Sequence, residues 1–161
     1  NGNELASWSG IDAISVAAPA AQQADIVRSA VKHGKHVLCE KPFGSSLKQI
    51  STLTEAAATC GITTAVNYQF RYDAGIKRMA NLLSNGEIGR ILNIKVSWLV
   101  DSGLHSNRLW SWRDEEAAAG GVLLDWCSHV IDYTRMFLRD SVSKILDSSI
   151  SISIITPVSY N

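Results

Sequence analysis

The feature that most constrains the fold is a short apolar segment that ends on a charged pair and a proline. Residues 35–40, KHVLCE, predict a buried strand. Lys41 follows directly, and Pro42 ends the pairing of this strand because proline has no N–H to donate. Ligands of open parallel sheets bind beyond the carboxyl ends of the strands. Lys41 is therefore a candidate catalytic cation, and the alternative interpretation is an ordinary surface lysine at a strand end.

The segments around this strand predict a parallel sheet with helices between its strands. The first ten residues are expected to be irregular. An apolar stretch at 11–19 predicts a first strand, and helical spacing at 20–33 predicts a helix that Gly34 closes. A second helix is predicted over 46–59, where S-x-x-Q is typical of a capping box, and a further strand over 62–67. This order predicts an α/β fold, the second half of a Rossmann-type dinucleotide-binding fold.

The rest of the chain predicts a second domain of a different class. Apolar and polar residues alternate over 91–100, which is typical of a half-buried, antiparallel strand. We expect a partial NAD(P)-binding Rossmann domain over 1–70, followed over 71–161 by the start of an α+β domain with an antiparallel sheet. The elements predicted for the second domain are a helix over 73–84, the strand over 91–100, a helix over 122–138 and a strand over 148–155.

The predicted helix at 122–138 carries a second group of candidate catalytic side chains. Asp125, His129 and Asp132 fall at i, i+4 and i+7, on a face separate from the apolar stripe. Residues four apart on a helix are neighbours, so Asp125 and His129 can contact one substrate together. Imidazole, with an unperturbed pKa near 6.5, is the side chain best suited to move a proton at neutral pH. The alternative is a hydrogen-bonded surface face with no catalytic role.

The composition argues against several classes of function. The chain of 161 residues has 15 basic and 15 acidic side chains, and this balance argues against a nucleic-acid or membrane-surface partner. Cys39, Cys60 and Cys127 lack C-x-x-C spacing, which indicates reduced, buried thiols in a cytoplasmic protein rather than a disulfide framework or a metal site. No apolar run is long enough to span a bilayer.

Four sequence blocks in a fixed order carry a family resemblance that covers nearly all of the chain. With them the sequence resembles the Gfo/Idh/MocA oxidoreductases, the relatives of glucose–fructose oxidoreductase and inositol dehydrogenase. The blocks are AAPAAQQADIVRSAVKHGKHVLCEKPF at 17–43, NYQFRY at 67–72, WSWR at 110–113 and GGVLLDWCSHVID at 120–132.

The resemblance implies an NAD(P)-dependent oxidoreductase that transfers a hydride between the nicotinamide and a hydroxyl-bearing carbon of a sugar, cyclitol or related polyol. It implies Lys41, Asp125 and His129 as catalytic residues, with His129 as the general base. Asp132 matches a trailing aspartate that we interpret as structural. The resemblance also implies a cis Lys41–Pro42 bond, a small-molecule substrate, and a homo-oligomer at full length.

The resemblance further implies which residues contact the NAD or NADP. Gln23 stands where the family usually has histidine, and Cys127 replaces a usual glycine. Arg71 matches a family arginine of unassigned role. The implied cofactor-binding residues are Ala18, Pro19, Gln22, Gln23, Glu40, Lys41, Asn67, Trp112 and Arg113.

Several of these cofactor residues have a plain structural alternative. The resemblance gives Glu40 a hydrogen bond to the cofactor ribose or a role in positioning Lys41, and its structural alternative is an ordinary ion pair. Asn67 could be a turn residue at a strand end. Trp112 and Arg113 could be a packed tryptophan beside a solvated arginine.

Two alternatives to a polyol dehydrogenase follow from the family. Some of its members bind the cofactor without turnover as regulatory proteins, and others use the same site for NAD-assisted glycoside cleavage.

The sequence has no GxGxxG, the glycine turn that brings a pyrophosphate to a helix N-terminus. We therefore expect an internal fragment that lacks this N-terminal motif and the C-terminal part. The alternatives are an inactive truncation product and a complete small protein with another role.

The 161 residues alone are expected to bind NAD or NADP weakly and to catalyse nothing measurable, because dinucleotide affinity depends on the glycine turn. Unpaired sheet edges should also make this isolated chain poorly soluble or oligomeric. Calorimetric titration with both cofactors, together with light scattering, checks this. Low-micromolar binding of NAD by a monodisperse monomer would contradict it.

Overall fold

A three-stranded parallel sheet is the centre of the fold. The computed structural model describes residues 1–44, 46–98, 121 and 123–139. The strand order is β1-β2-β3, and Val16, Cys39 and Val66 lie opposite one another near the carboxyl ends. The three strands predicted in the first half of the chain are therefore confirmed, with shorter bounds. They are β1 (Ala13–Val16), β2 (His36–Glu40) and β3 (Thr64–Asn67).

In the part of the chain that the structure describes, five α-helices and two shorter helical turns accompany the sheet. The predicted helix at 122–138 has two parts, a π-helix and an α-helix, and the other predicted helices agree within one or two residues. Among the described helices, none has the length and apolar composition that a bilayer crossing requires. The elements are α1 (Gly2–Ala6), α2 (Ala20–Lys32), α3 (Leu47–Thr59), a 3₁₀ helix (Gln69–Tyr72), α4 (Ala74–Ser84), a π-helix (Leu123–Cys127) and α5 (Ser128–Leu138).

The hydrophobic core lies between the sheet and the helices α2 and α3. Helix α2 buries residues at helical spacing, among them Ala24, Val27 and Val31, against β1 and β2. Helix α3 adds Leu53 and Ala57 to the same core. This apolar stripe fixes the orientation of α2, so the start of the helix lies at the carboxyl end of β1.

The thiols of the three cysteines are free, as predicted, but they are not all buried. Cys39 lies in the core, where burial and the neighbouring Glu40 carboxylate raise the pKa of its thiol to about 12. Cys60 is exposed just after α3, and Cys127 is half-buried. The prediction of three buried thiols is therefore wrong for Cys60, because the helix ends one residue before it and leaves it on the surface.

The sequence predicts an irregular segment over the first ten residues. This prediction is wrong, because Gly2–Ala6 form α1. Asn1 caps α1: its side-chain oxygen accepts from the backbone N–H groups of Asn3 and Glu4, at 3.0 and 3.1 Å. The Glu4 carboxylate accepts in return from the backbone nitrogen of Asn1. Ala6 is fully buried in the core. The N-x-x-E spacing was a capping signal that the polarity of the segment concealed.

The antiparallel strand predicted over 91–100 is absent from residues 91–98, the part of it that the structure describes. Leu92, which should face the core, is 82% exposed. Alternation produces a strand only where a neighbouring strand supplies backbone hydrogen bonds, and the sheet of the described residues has only its three parallel strands. The strand predicted over 148–155 lies outside the described residues.

Candidate active site

A cleft of about 450 Å³ opens at the carboxyl ends of the strands. Ala18 and Pro19, after β1, line one side of it, and Lys41, after β2, lines its centre. The other side is formed by residues distant in sequence, including Asp125 and His129. The cleft therefore brings together all three residues predicted to be catalytic.

Lys41 and Asp125 are in direct contact across 84 residues of sequence. The Lys41 Nζ donates to the carboxylate Oδ1 of Asp125 at 2.6 Å and to its backbone oxygen at 2.6 Å. The two side chains are only 13% and 10% exposed. An ion pair this well shielded from water is stronger than a surface pair, and it fixes the position of the ammonium group. The Lys41–Pro42 peptide bond just after β2 is cis, as predicted.

The π-helix explains how Lys41 reaches a backbone oxygen of a helix. Asp125 is the central residue of this wide turn, and its own N–H donates to the Gly121 oxygen at 2.9 Å. A π-turn displaces carbonyl groups from the regular α-helical ladder, and such turns are frequent at functional sites. The backbone oxygen of Asp125 in this turn accepts from the ammonium group of Lys41. The sequence pattern predicted a continuous helix and gave no signal of this turn.

His129 lies one turn further on, in an enclosed aromatic environment. It is 2% exposed, and its ring is 4.6 Å from the Phe70 ring and 5.8 Å from the Tyr68 ring, both edge-on. Burial, and then the Lys41 charge, lower the pKa of His129 below 6.5, against the opposing effects of nearby carboxylates. Its imidazole is therefore neutral at pH 7.

The ring nitrogen Nδ1 of His129 is buried and has no hydrogen-bond partner among the described residues. Buried polar atoms without a partner cost free energy, so they are rare away from functional sites. Because Nδ1 is enclosed, Nε2 is the nitrogen through which His129 can meet a group in the cleft.

Glu40 and Asn67 join the ends of β2 and β3. The Asn67 side-chain nitrogen donates to the Glu40 carboxylate at 2.5 Å, and the two residues are opposite one another in the sheet. The carboxylate that holds Lys41 is that of Asp125, so the simple Glu40–Lys41 ion pair is not the arrangement observed. Asn67 is likewise more than a turn residue, because it ties two strand ends together.

Gln23 occupies a structural position below the cleft. It is 1% exposed, and its amide nitrogen donates to the backbone oxygens of Ala18 and Glu40, both at 3.0 Å. Its amide oxygen accepts from the Gly44 N–H at 3.4 Å. Both N–H donors of Gln23 are therefore used within the protein, and the structure leaves none for the predicted cofactor contact. Gln22, the other glutamine predicted there, is exposed.

Arg71 and Asp132 form a contact that the sequence did not reveal. The guanidinium group donates through Nε to Oδ2 at 2.5 Å and through Nη2 to Oδ1 at 2.6 Å. The two residues are 61 positions apart, and neither spacing nor periodicity connects them.

Trp112 and Arg113, predicted to bind the cofactor, lie outside the described residues.

Comparison with known proteins agrees with this geometry. A family model described as an oxidoreductase family with an NAD-binding Rossmann fold matches residues 1–68, and the model of the GFO/IDH/MocA C-terminal domain matches residues 76–151. The chain belongs to the Gfo/Idh/MocA oxidoreductase family. The Lys41 half and the His129 half of the cleft thus fall in the two different domains that this Gfo/Idh/MocA chain combines.

Its similarity to individual relatives extends along most of the chain. It is 33% identical over 138 residues to 1,5-anhydro-D-fructose reductase of Ensifer adhaerens, covering 85% of this chain and 40% of the reductase. An oxidoreductase domain protein of Kribbella flavida superposes with a TM-score of 0.80 at 28% identity, covering 88% of this chain and 39% of that one. A levoglucosan dehydrogenase in complex with NADH and levoglucosan gives 0.79 at 28% identity, covering 84% and 37%. The Gfo/Idh/MocA chain therefore spans about two fifths of the length of these relatives.

Replacing Gln23 by leucine should destabilise the protein. The change removes the side-chain donor of the partly buried oxygens of Ala18 and Glu40, which costs up to about 1–3 kcal/mol for each group left unsatisfied. Gln22→Leu, at the exposed neighbouring position, is the matched control and should change the free energy of unfolding by less than about 0.5 kcal/mol. Chemical unfolding of the intact protein measures both. Equal effects of the two substitutions would show that the buried amide does not join the strand ends.

Proposed function

We propose that the protein is an NAD(P)-dependent dehydrogenase or reductase acting on a hydroxyl-bearing carbon of a sugar, cyclitol or related polyol. The observation that carries this proposal is the contact of Lys41 with Asp125, beside His129, in the cleft at the strand ends. The names of the levoglucosan dehydrogenase and the anhydro-fructose reductase support a carbohydrate substrate.

The cleft fits the nicotinamide end of a dinucleotide cofactor. Parallel sheets bind such cofactors beyond the carboxyl ends of their strands, where this cleft lies. Glu40, Lys41 and His129 line this cleft and supply polar groups for the cofactor and the substrate. Ala18 and Pro19 would contact the cofactor after β1, and Glu40, held by Asn67, would bind it after β2. When bound, the nicotinamide accepts or donates a hydride at C4.

His129 acts in this proposal as the general base. Oxidation of an alcohol carbon requires the hydroxyl proton to leave, and a neutral imidazole can accept that proton at Nε2. The low pKa of His129, caused by burial and by Lys41, keeps the ring neutral at physiological pH. In the reduction direction the same nitrogen returns the proton to the product oxygen.

Lys41 and Asp125 orient the substrate and stabilise charge. The ammonium group of Lys41 stabilises the negative charge that develops on the substrate oxygen when its proton leaves. Asp125 holds this ammonium group through two oxygens, so the cation is in place before the reaction begins. The Asp125 carboxylate also orients the substrate hydroxyl toward His129.

Replacing Lys41 by alanine in the intact protein should reduce kcat at least about 10²-fold, because a preorganised charge opposite the developing oxyanion is lost. Lys48→Ala, on the exposed surface of α3, is the control and should leave the rate unchanged. The assay follows NAD(P)H absorbance with a panel of sugars and polyols. A Lys41→Ala rate near that of the wild type would contradict the catalytic role. Cofactor binding without turnover by the wild type on the whole panel would favour a regulatory protein.

The rate of oxidation should fall with decreasing pH as His129 becomes protonated. Since burial and Lys41 lower the pKa of His129, the fall should have its midpoint below pH 6.5. His129→Asn should lower kcat by roughly 10²–10⁴-fold and flatten this acid limb, because asparagine has no titrating nitrogen. The measurement is the pH profile of kcat for both proteins. A normal rate with an unchanged acid limb in His129→Asn would assign the base to another residue.

A further inference from the structure

The contact between Arg71 and Asp132 joins two elements that form the wall of the cleft. Arg71 lies on the 3₁₀ helix and Asp132 on α5. Two parallel N–H donations to one carboxylate, at 2.5 and 2.6 Å, fix both the distance and the relative orientation of the two groups. The Asp132 side chain is 10% exposed, so this contact is largely shielded from water on the carboxylate side.

The residue before Arg71 packs directly on the imidazole of His129. The Phe70 ring is 4.6 Å from the His129 ring at an interplanar angle of 80°, and 5.0 Å from Trp98. A shift of the 3₁₀ helix relative to α5 would therefore move the aromatic ring that encloses the imidazole. The ion pair of Arg71 holds this helix at its position on α5.

The negative charge of Asp132 also acts on the imidazole of His129 and raises its pKa. Residues three apart on an α-helix are neighbours, so an unpaired Asp132 carboxylate would favour the protonated imidazole. The guanidinium group of Arg71 binds that carboxylate and offsets part of its charge. The titratable and charged groups around His129 are Glu40, Lys41, Tyr68, Asp125 and Asp132. Arg71 contacts Asp132 and acts on His129 through it.

We propose that Arg71 and Asp132 are a positioning pair for His129. The pair fixes the 3₁₀ helix on α5 so that Phe70 encloses the imidazole, and Arg71 offsets part of the charge of the carboxylate one turn away, which favours the neutral form of His129. Neither residue contacts the substrate in this role. The consequence for catalysis rests on the proposed function, whereas the consequence for the charge state of His129 does not.

The test is a set of three variants: Arg71→Met, Asp132→Asn and the double variant. Arg71→Met leaves the carboxylate without this cation and should raise the titration midpoint of His129. Asp132→Asn removes the negative charge and leaves the cation, so it should lower the midpoint. Each shift should be on the order of half a pH unit, because Arg71 is partly exposed to solvent. The double variant should fall between the two single variants.

The midpoint is measured by NMR of the intact protein labelled at histidine, with the His129 signal assigned from its loss in His129→Asn. Asp132→Asn is isosteric, so its downward shift remains measurable even where Arg71→Met lowers stability. Arg78→Met, at an exposed position of α4, is the control and should leave the midpoint unchanged. Shifts of opposite sign in the two single variants support the proposal, because a general loss of packing would move both the same way.

Unchanged midpoints in all three variants, or shifts of the same sign in both single variants, would overturn the proposal. The acid limb of the pH–rate profile provides a second measurement and should move in the same direction as the NMR midpoint for each variant. A wild-type protein without turnover would refute the proposed function, while the NMR result would still decide on the positioning pair.

Discussion

The two-oxygen contact between Lys41 and Asp125 is the interaction on which the site depends. Lys41 extends from the end of a parallel strand, and Asp125 from a π-helix that starts more than eighty residues later. The contact joins the sheet and the helical part of the chain at one point. This contact places the cation of Lys41 beside the helical turn that precedes His129.

The charges around the imidazole are arranged in pairs. Among the described residues, the carboxylates of Asp125 and Asp132 each hold a cation, Lys41 and Arg71 respectively. Each pair places its positive member so that it offsets part of the effect of the adjacent carboxylate on His129. The carboxylates still raise the pKa of His129, but burial and the Lys41 charge have the larger, opposite effect.

The parts of the structure that the sequence predicted are those with a local signal. Apolar runs and helical spacing located β1, β2, β3 and the two core helices, because burial of one face determines these elements. Lys41, Asp125 and His129 were identified from short blocks whose order matches a family. The features that the sequence did not predict correctly depend on residues distant in the chain. The residues at 91–98 alternate correctly but have no described neighbouring strand, and Arg71 finds Asp132 only after folding. The π-helix likewise had no signal in the sequence pattern, and its central residue contacts Lys41 from a distant part of the chain.

The buried amide of Gln23 has a consequence for how the protein responds to acid. The family usually has histidine at this position, and an imidazole there would change charge in the same pH range as His129. An amide has no titrating proton and keeps its two donors and its acceptor at every pH at which the protein is folded. The hydrogen bonds of Gln23 with Ala18, Glu40 and Gly44 therefore persist while His129 gains or loses a proton. In this chain the imidazole in the cleft titrates, and the amide that joins the strand ends does not.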